Sequence, residues 1–170
     1  MALSFLTSSE QLIEVVASVD PAVKATPDQV SAYLETGDKS RLDDVGDDAT
    51  HFTLKALSPS EREEAECKAG ALTRSELGRL LWSEAPDDAE EKARWHHALT
   101  SEDREAMSDY QQYLNRVYIE MIRSSLVSID GEQVSVEMIQ QIRPESHRVQ
   151  VISELVLHIQ RISLLGIEGK

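Results

Sequence analysis

The sequence predicts a mainly α-helical fold for this chain of 170 residues. Apolar residues recur at helical spacing over long stretches, and helix-capping patterns come directly before several of these stretches. Aromatic residues make up only 5% of the chain, so Leu, Ile, Val and Ala must build the core. We expect five to seven helices and one short β element near residues 51–57. A single domain is predicted over residues 26–170, preceded by an N-terminal segment, residues 1–25, whose order the sequence leaves open.

The β element is predicted by the alternation of apolar and polar residues in residues 51–57. Phe52, Leu54 and Ala56 fall on one side of such a strand. The residues before it, 37–50, are rich in glycine and aspartate and predict a loop. Apolar clusters in residues 3–19 fit a helix or a strand equally well, so both interpretations stay open there.

Helix starts are predicted by three capping boxes, in which Ser or Thr comes three residues before Glu or Gln. They begin at Thr26, Ser58 and Thr73, and in the first two a proline follows at the first helical position. The first helix is expected to stop at Gly37. The third box predicts a break in the helix that the second box begins. A further helix is expected over residues 87–98.

Two long helices are expected to supply much of the core. The first, residues 101–129, repeats apolar residues at alternating spacings of three and four. The second, residues 145–165, gathers its aliphatic residues on one side. Between them, Ser135 is expected to cap a short helix. If Leu114 and Ile159 are buried in these helices, replacing either by alanine should cost about 2–5 kcal/mol of folding stability.

Acidic residues outnumber basic ones by 31 to 17, which gives a net charge of -14. Ten acids and three bases give residues 1–50 a charge of -7, fourteen and eight give residues 51–110 a charge of -6, and seven and six give residues 111–170 a charge of -1. A protein that binds nucleic acid directly normally carries a basic stripe, and the sequence has none. We therefore expect no direct binding of DNA or RNA. A solvated acidic face is the favoured interpretation of the charge, and an inhibitor that mimics DNA is the alternative.

The sequence contains no recognisable catalytic, cofactor-binding or metal-binding motif, so we expect a protein that is not an enzyme and uses no cofactor. The histidines lack the spacing of metal ligands. His96 and His97 are adjacent, while His147 and His158 lie roughly 16 Å apart along one helix. Cys67 has no partner cysteine, and its helical surroundings favour a position in the core over a role as a nucleophile.

No segment predicts insertion into a membrane. The longest apolar stretch, residues 149–167, is interrupted by polar and charged residues that include Glu154 and Arg161. The first residues of the chain lack the basic region that opens a signal peptide. We therefore expect a cytoplasmic location.

The last helix presents a broad aliphatic face, which is the candidate surface for binding a partner protein. An amphipathic helix near a terminus can lay such a face into a groove of a partner. The same face can instead complete the protein's own core, and this interpretation is favoured. Both hold if one edge of the face stays exposed. The residues of the face are Ile152, Leu155, Val156, Ile159 and Ile162.

Two blocks of the sequence carry a resemblance to a known protein family. The first block consists of Tyr33, Asp38 and Leu42, followed by Thr50-x-Phe52-x-Leu54 and Leu57-Ser58. The second consists of Glu154-Leu155, Ile159, Ser163-Leu164 and Gly169-Lys170. Both look like small proteins of tailed phages that are encoded near the tape-measure gene and are commonly assigned as tail assembly chaperones.

This resemblance implies a non-enzymatic role in phage morphogenesis. The protein would bind tape-measure proteins, tail-tube proteins or both, and would keep hydrophobic helices of the tape-measure protein in solution while the tail assembles. Its location would then be the cytoplasm of the infected bacterial cell. The alternative is a structural or adaptor protein of the neck or tail, which would stay in the virion.

Overall fold

The structure is a computed structural model that describes residues 12–70 and 75–168. Within these residues the fold is mainly α and includes the predicted β element. The helices are α1 (Pro27–Thr36), α2 (Pro59–Ala69), α3 (Ser75–Glu84), α4 (Ala89–Ala98), α5 (Ser101–Ser125), α6 (Glu137–Gln140) and α7 (Glu145–Glu168). The strands are β1 (Leu12–Val16), β2 (Val23–Lys24), β3 (Asp44–Val45), β4 (His51–Lys55) and β5 (Leu126–Ile129). None of the helices in the described residues combines the length and the apolar character that crossing a membrane requires.

The described residues form two compact units. The first unit takes the residues up to Ala65 and those from Tyr118 onward, and it contains all five strands together with α1, α6 and α7. The second unit takes the residues from Glu66 to Val117, which include α3, α4 and most of α5.

A three-stranded antiparallel sheet, in the order β1–β4–β5, lies in the first unit. The strand predicted near residues 51–57 is its central strand, β4. The predicted alternation is confirmed, because Phe52, Leu54 and Ala56 are all buried. The loop predicted before it contains only a 3₁₀ turn, Lys39–Arg41, and the short strand β3, which pairs with β2.

The N-terminal apolar segment forms a strand where the sequence fitted either a helix or a strand. Within β1, Val15 lies opposite Phe52 of β4, and Val15 and Val16 are both buried. Two adjacent β-branched residues fit this extended, enclosed position well. The other apolar cluster of the segment, residues 3–6, lies outside the described residues.

The helix predicted over residues 101–129 is shorter than predicted. It ends at Ser125, and residues 126–129 form the strand β5. This strand pairs with the edge of β4 that does not pair with β1. The hydroxyl of Ser125 donates a hydrogen bond to the carbonyl of Lys55 at 2.6 Å, where the helix gives way to the strand. A run of four residues of which three are apolar fits both periodicities, and the unpaired edge of β4 decides between them.

The first two predicted capping boxes start α1 and α2. At α1, the backbone N–H of Thr26 donates to Gln29 Oε1 at 2.8 Å, and the N–H of Gln29 donates to Thr26 Oγ1 at 3.4 Å. Ser58 and Glu61 form the same reciprocal pair at α2. Gly37 ends α1 with a φ angle of 71°, which glycine adopts without strain.

The short helix α6 is not capped by the side chain of Ser135, contrary to the prediction. Val136 occupies the cap position, and no side-chain hydrogen bond caps the helix. The carbonyl of Ser135 instead accepts a hydrogen bond from the N–H of Met138 at 3.1 Å. The next helix, α7, starts where it was predicted and extends to Glu168.

In the second unit, the backbone of α3 lies directly against α5. A Cβ atom at Gly78 would collide with the carbonyl oxygen of Ala106, so glycine is required at this contact. The rings of Trp82 and Tyr110 meet edge to face, with centroids 6.2 Å apart. The capping box predicted at residues 73–76, by contrast, lies outside the described side chains.

The last helix supplies much of the core of the first unit. Leu155 is 1% exposed and Ile159 is 0% exposed. The hydroxyl of Ser163 donates to the carbonyl of Ile159 and accepts a hydrogen bond from the N–H of Leu57 at 2.9 Å. Because Leu57 follows β4, this bond joins the end of the central strand to α7.

Replacing Ile159 with alanine should destabilise the protein by about 2–5 kcal/mol, because it leaves a cavity in the core. Leu157→Ala is the matched control on the same helix, and it should cost much less because Leu157 is 47% exposed. Urea unfolding of both variants beside the wild type measures the difference, and equal losses would mean that the faces of α7 are wrongly assigned.

Leu114 is only half-buried, so its replacement should cost less than the sequence predicts.

Candidate functional site

The residues predicted to bind a partner lie on the side of α7 that packs into the first unit. Leu155, Val156, Ile159 and Ile162 are buried, and Ile152 is half-buried. Among the side chains of α7 that the structure describes, up to residue 164, the large apolar ones that are exposed are different, namely Val149, Leu157 and Leu164. A partner could therefore reach the four buried side chains only if α7 moved, and their role in partner binding stays a prediction.

A buried tyrosine ties α1 to β1. The hydroxyl of Tyr33 donates a hydrogen bond to the carbonyl of Val16 and accepts one from its N–H, both at 3.0 Å. Burial raises the pKa of Tyr33 to about 12, although the hydrogen bond with the Val16 backbone opposes the shift. The phenol therefore stays protonated and remains a hydrogen-bond donor at any pH near neutral.

His158 of α7 packs against this tyrosine without a hydrogen-bond partner. Its side chain is 0% exposed, and its ring centroid lies 4.9 Å from that of Tyr33. Neither ring nitrogen is hydrogen-bonded within the described structure, although a neutral imidazole carries one N–H donor. Burial, together with the positive charge of Arg161, lowers the pKa of His158 to about 4. An unpaired buried donor costs about 1–3 kcal/mol, which the surrounding apolar packing must outweigh.

A buried carboxylate on α7 fixes the chain just beyond β1. Glu154 accepts hydrogen bonds from the backbone N–H of Ser18 at 2.7 Å and from its hydroxyl. The side-chain amide of Gln150 donates a third, at 2.9 Å. A buried charge is tolerated only when it is hydrogen-bonded in this way. The role of Glu154 is therefore structural.

An open cleft of about 310 Å³ lies in the first unit, close to the end of the sheet. Its walls come from the segment after β1, from the sheet, from α6 and the residues after it, and from α7. Its apolar lining residues are Ala17, Val19, Pro21, Phe52, Ile129, Met138, Ile139, Ile142 and Val151. We call this feature the apolar cleft.

The polar lining of the apolar cleft is small: Asp20, Thr50, Arg143 and His147. The carboxylate of Asp20 accepts hydrogen bonds from the N–H groups of Ala22 at 2.9 Å and of Thr50 at 3.0 Å. Burial opposes ionisation of this group, but the two hydrogen bonds hold its pKa below the ordinary value. Asp20 is therefore charged and engaged with the backbone, and it is poorly placed to act as an acid.

The apolar cleft can bind apolar groups. Its volume falls at the lower end of the roughly 300–1,000 Å³ that is typical of ligand sites. Met138, which is 53% exposed, lines it with an unbranched thioether side chain that can adapt to different shapes. Each square ångström of apolar surface that a ligand buries here contributes about 25 cal/mol.

Elsewhere in the described residues, the histidines and the cysteine do not gather into a reactive site. No group of three His, Cys, Asp or Glu residues in 12–70 and 75–168 is placed to hold a metal ion. His51 contacts the carboxylate of Glu14 at 3.0 Å.

The predicted core position of Cys67 is wrong, because its side chain is exposed. The buried face of α2 carries Ala65 and Ala69, and Cys67 lies about 200° around the helix from each.

Comparison with models of protein families, with curated proteins and with solved structures found no match to this chain. The case for a function therefore rests on the apolar cleft and on the two sequence blocks described above. The apolar cleft could not be predicted from the sequence, because its lining residues come from distant segments. Most of them also look like ordinary core residues when each segment is considered alone.

The free energy of unfolding should fall as the pH drops from 6.5 to 5. In this window the unfolded chain binds a proton at His158 and the folded chain does not, because the folded pKa is lowered to about 4. The slope approaches about 1.4 kcal/mol per pH unit below the unfolded pKa, so about 1.5 kcal/mol should be lost over the window. Urea unfolding at several pH values measures this slope.

The variant His158→Phe should remove most of that slope, since phenylalanine fills a similar volume and does not titrate. His147→Gln, at an exposed histidine on the same helix, should leave the slope in place. An unchanged slope in His158→Phe would show that His158 is not held neutral by the fold.

Proposed function

We propose that the protein is a non-enzymatic phage morphogenesis protein, similar in role to tail assembly chaperones, and that its apolar cleft binds a hydrophobic segment of a tape-measure or tail-tube protein. The apolar cleft carries this proposal. It is an open, mainly apolar site of about 310 Å³ on a chain whose net charge is -14.

The apolar lining of the cleft suits the side chains of an amphipathic helix. Such a helix presents apolar residues every three or four positions, and a groove on a partner takes them as anchors. Phe52, Ile139 and Val151 are buried and offer rigid walls, while Met138 is exposed and adaptable. Anchors buried in this way supply most of the binding energy in many protein interfaces.

The acidic composition supports a role in keeping apolar partners in solution. A large net charge of one sign opposes association between copies of the protein. A bound hydrophobic segment would therefore be part of a complex with a large net charge, and such a complex resists aggregation. The sequence contains 31 acidic residues, and the excess lies in the first two thirds of the chain.

The residues that carry the family resemblance also support the proposal. Tyr33 ties α1 to β1, Glu154 ties α7 to the chain just beyond β1, and Leu54 and Ile159 are buried, so a pattern shared at these positions is what a shared fold would require. Phe52 belongs both to the first block and to the lining of the apolar cleft.

The proposal is tested by affinity capture of the tagged protein from infected cells, with mass spectrometry of the captured proteins and of purified particles. The wild type should capture a tape-measure or tail-tube protein and should be absent from particles. Met138→Asp should lower the captured amount about tenfold or more, because it places a charge where an apolar anchor would bind. Val149→Asp is the matched control and should leave capture unchanged, since Val149 is 54% exposed and does not line the cleft.

Three outcomes would contradict this account. Stoichiometric presence in purified particles would identify a structural or adaptor protein of the virion. Equal capture by the Met138→Asp variant and the wild type would exclude the apolar cleft as the binding site. Capture of a DNA-binding protein alone would instead favour an acidic protein that mimics DNA.

A further inference from the structure

The second unit contains a basic depression of about 540 Å³ that the proposed function does not use. It lies between α4 and the first turn of α5. Its lining residues are Ala89, Lys92, Ala93, His96, His97 and Arg104. We call it the basic depression.

Helical spacing explains how the basic depression forms. Residues at positions 89, 92, 93, 96 and 97 follow spacings of three and four, so they share one face of α4. Ala89 and Ala93 have short side chains, which leave an open space on this face of the helix. The longer basic side chains border that space. Arg104 approaches from α5, where one guanidinium N–H donates to the carbonyl of His97 at 3.3 Å.

The charge of this site is opposite to that of the protein. Every polar side chain that lines the basic depression is cationic or becomes cationic when protonated, and no acid lines it. The whole chain has 17 Lys and Arg residues against 31 Asp and Glu residues. Within the described part of the chain, Lys92, His96 and His97 form no ion pair. Lys92 and Arg104 carry the permanent positive charges of the site, which repel each other, and a bound anion would relieve this repulsion.

Helix stability accounts for only part of the cluster. His96 and His97 lie in the last turn of α4, where positive charge is favoured, and Arg104 satisfies a carbonyl at that end. Neither role applies to Lys92, which lies a full turn earlier. Nor does either role explain why no acid side chain borders the site, although Glu90 and Glu91 lie on the same helix.

We propose that the basic depression binds the phosphate group of a small phosphorylated molecule. A guanidinium fork matches two phosphate oxygens, and an ammonium group supplies a strong point charge beside it. The volume is within the range of small-molecule sites. The binding groups are exposed, so salt should weaken the interaction strongly. This site is independent of the apolar cleft.

Isothermal titration of the full chain with sodium pyrophosphate at low ionic strength tests the proposal. Lys92→Gln and Arg104→Gln should each weaken binding about tenfold, as expected when one hydrogen bond to a charged group is lost. Arg94→Gln removes the same charge from α4 at a position outside the depression, so it should change the affinity less than about twofold. The side chain of Lys92 forms no hydrogen bond or ion pair with a described residue, so its replacement should leave the thermal unfolding curve unchanged.

A second readout locates the bound probe. The imidazole C–H signals of His96 and His97 should shift on addition of pyrophosphate, while that of His158 should not, because His158 is enclosed in the first unit. Absence of binding at millimolar pyrophosphate would overturn the proposal, and so would equal weakening by Arg94→Gln. Tighter binding of a tetra-aspartate peptide than of pyrophosphate would show that the ligand class is wrong.

Discussion

The packing of α7 on the sheet is the interaction on which the first unit depends. Three strands of at most five residues have little stability alone, and here they come from segments as far apart as Leu12 and Ile129. Burial of Leu155 and Ile159 beside β4 offsets the entropy of bringing these segments together. The bond between Ser163 and Leu57 then fixes the helix against the end of the central strand.

This packing also determines which surfaces are open to a partner. The aliphatic face of α7 is used within the protein, and Glu154 and His158 are enclosed with it. Glu154 accepts hydrogen bonds there, whereas neither ring nitrogen of His158 has a hydrogen-bond partner. Because the fold keeps His158 neutral, the free energy of unfolding falls as the pH falls. An open apolar surface lies instead in the cleft near the end of the sheet, which Met138 of α6, Val151 of α7 and Phe52 of β4 line together. The same elements that complete the core therefore shape the site that we propose for binding.

Much of the fold could be predicted from the sequence, because its signals are local. The boxes at Thr26 and Ser58 and the alternation around Phe52 each depend on neighbouring residues, and the structure confirms all three. The sequence failed where a distant partner decides the outcome. Residues 126–129 become a strand because β4 offers an edge, and Cys67 is exposed because α2 buries its other face. The apolar cleft could not be predicted for the same reason, since its lining residues meet only after the sheet and α7 have packed.

Amide hydrogen exchange of the free protein tests most directly whether the aliphatic face of α7 is core. If α7 is an integral part of the first unit, the amides of Leu155 and Ile159 should exchange as slowly as those of Phe52 and Leu54 in β4, all by global unfolding. Exchange in α7 that is much faster than in β4 would contradict the account. It would show that the helix leaves the sheet in the native state, and that its aliphatic face, rather than the apolar cleft, is available to bind a partner.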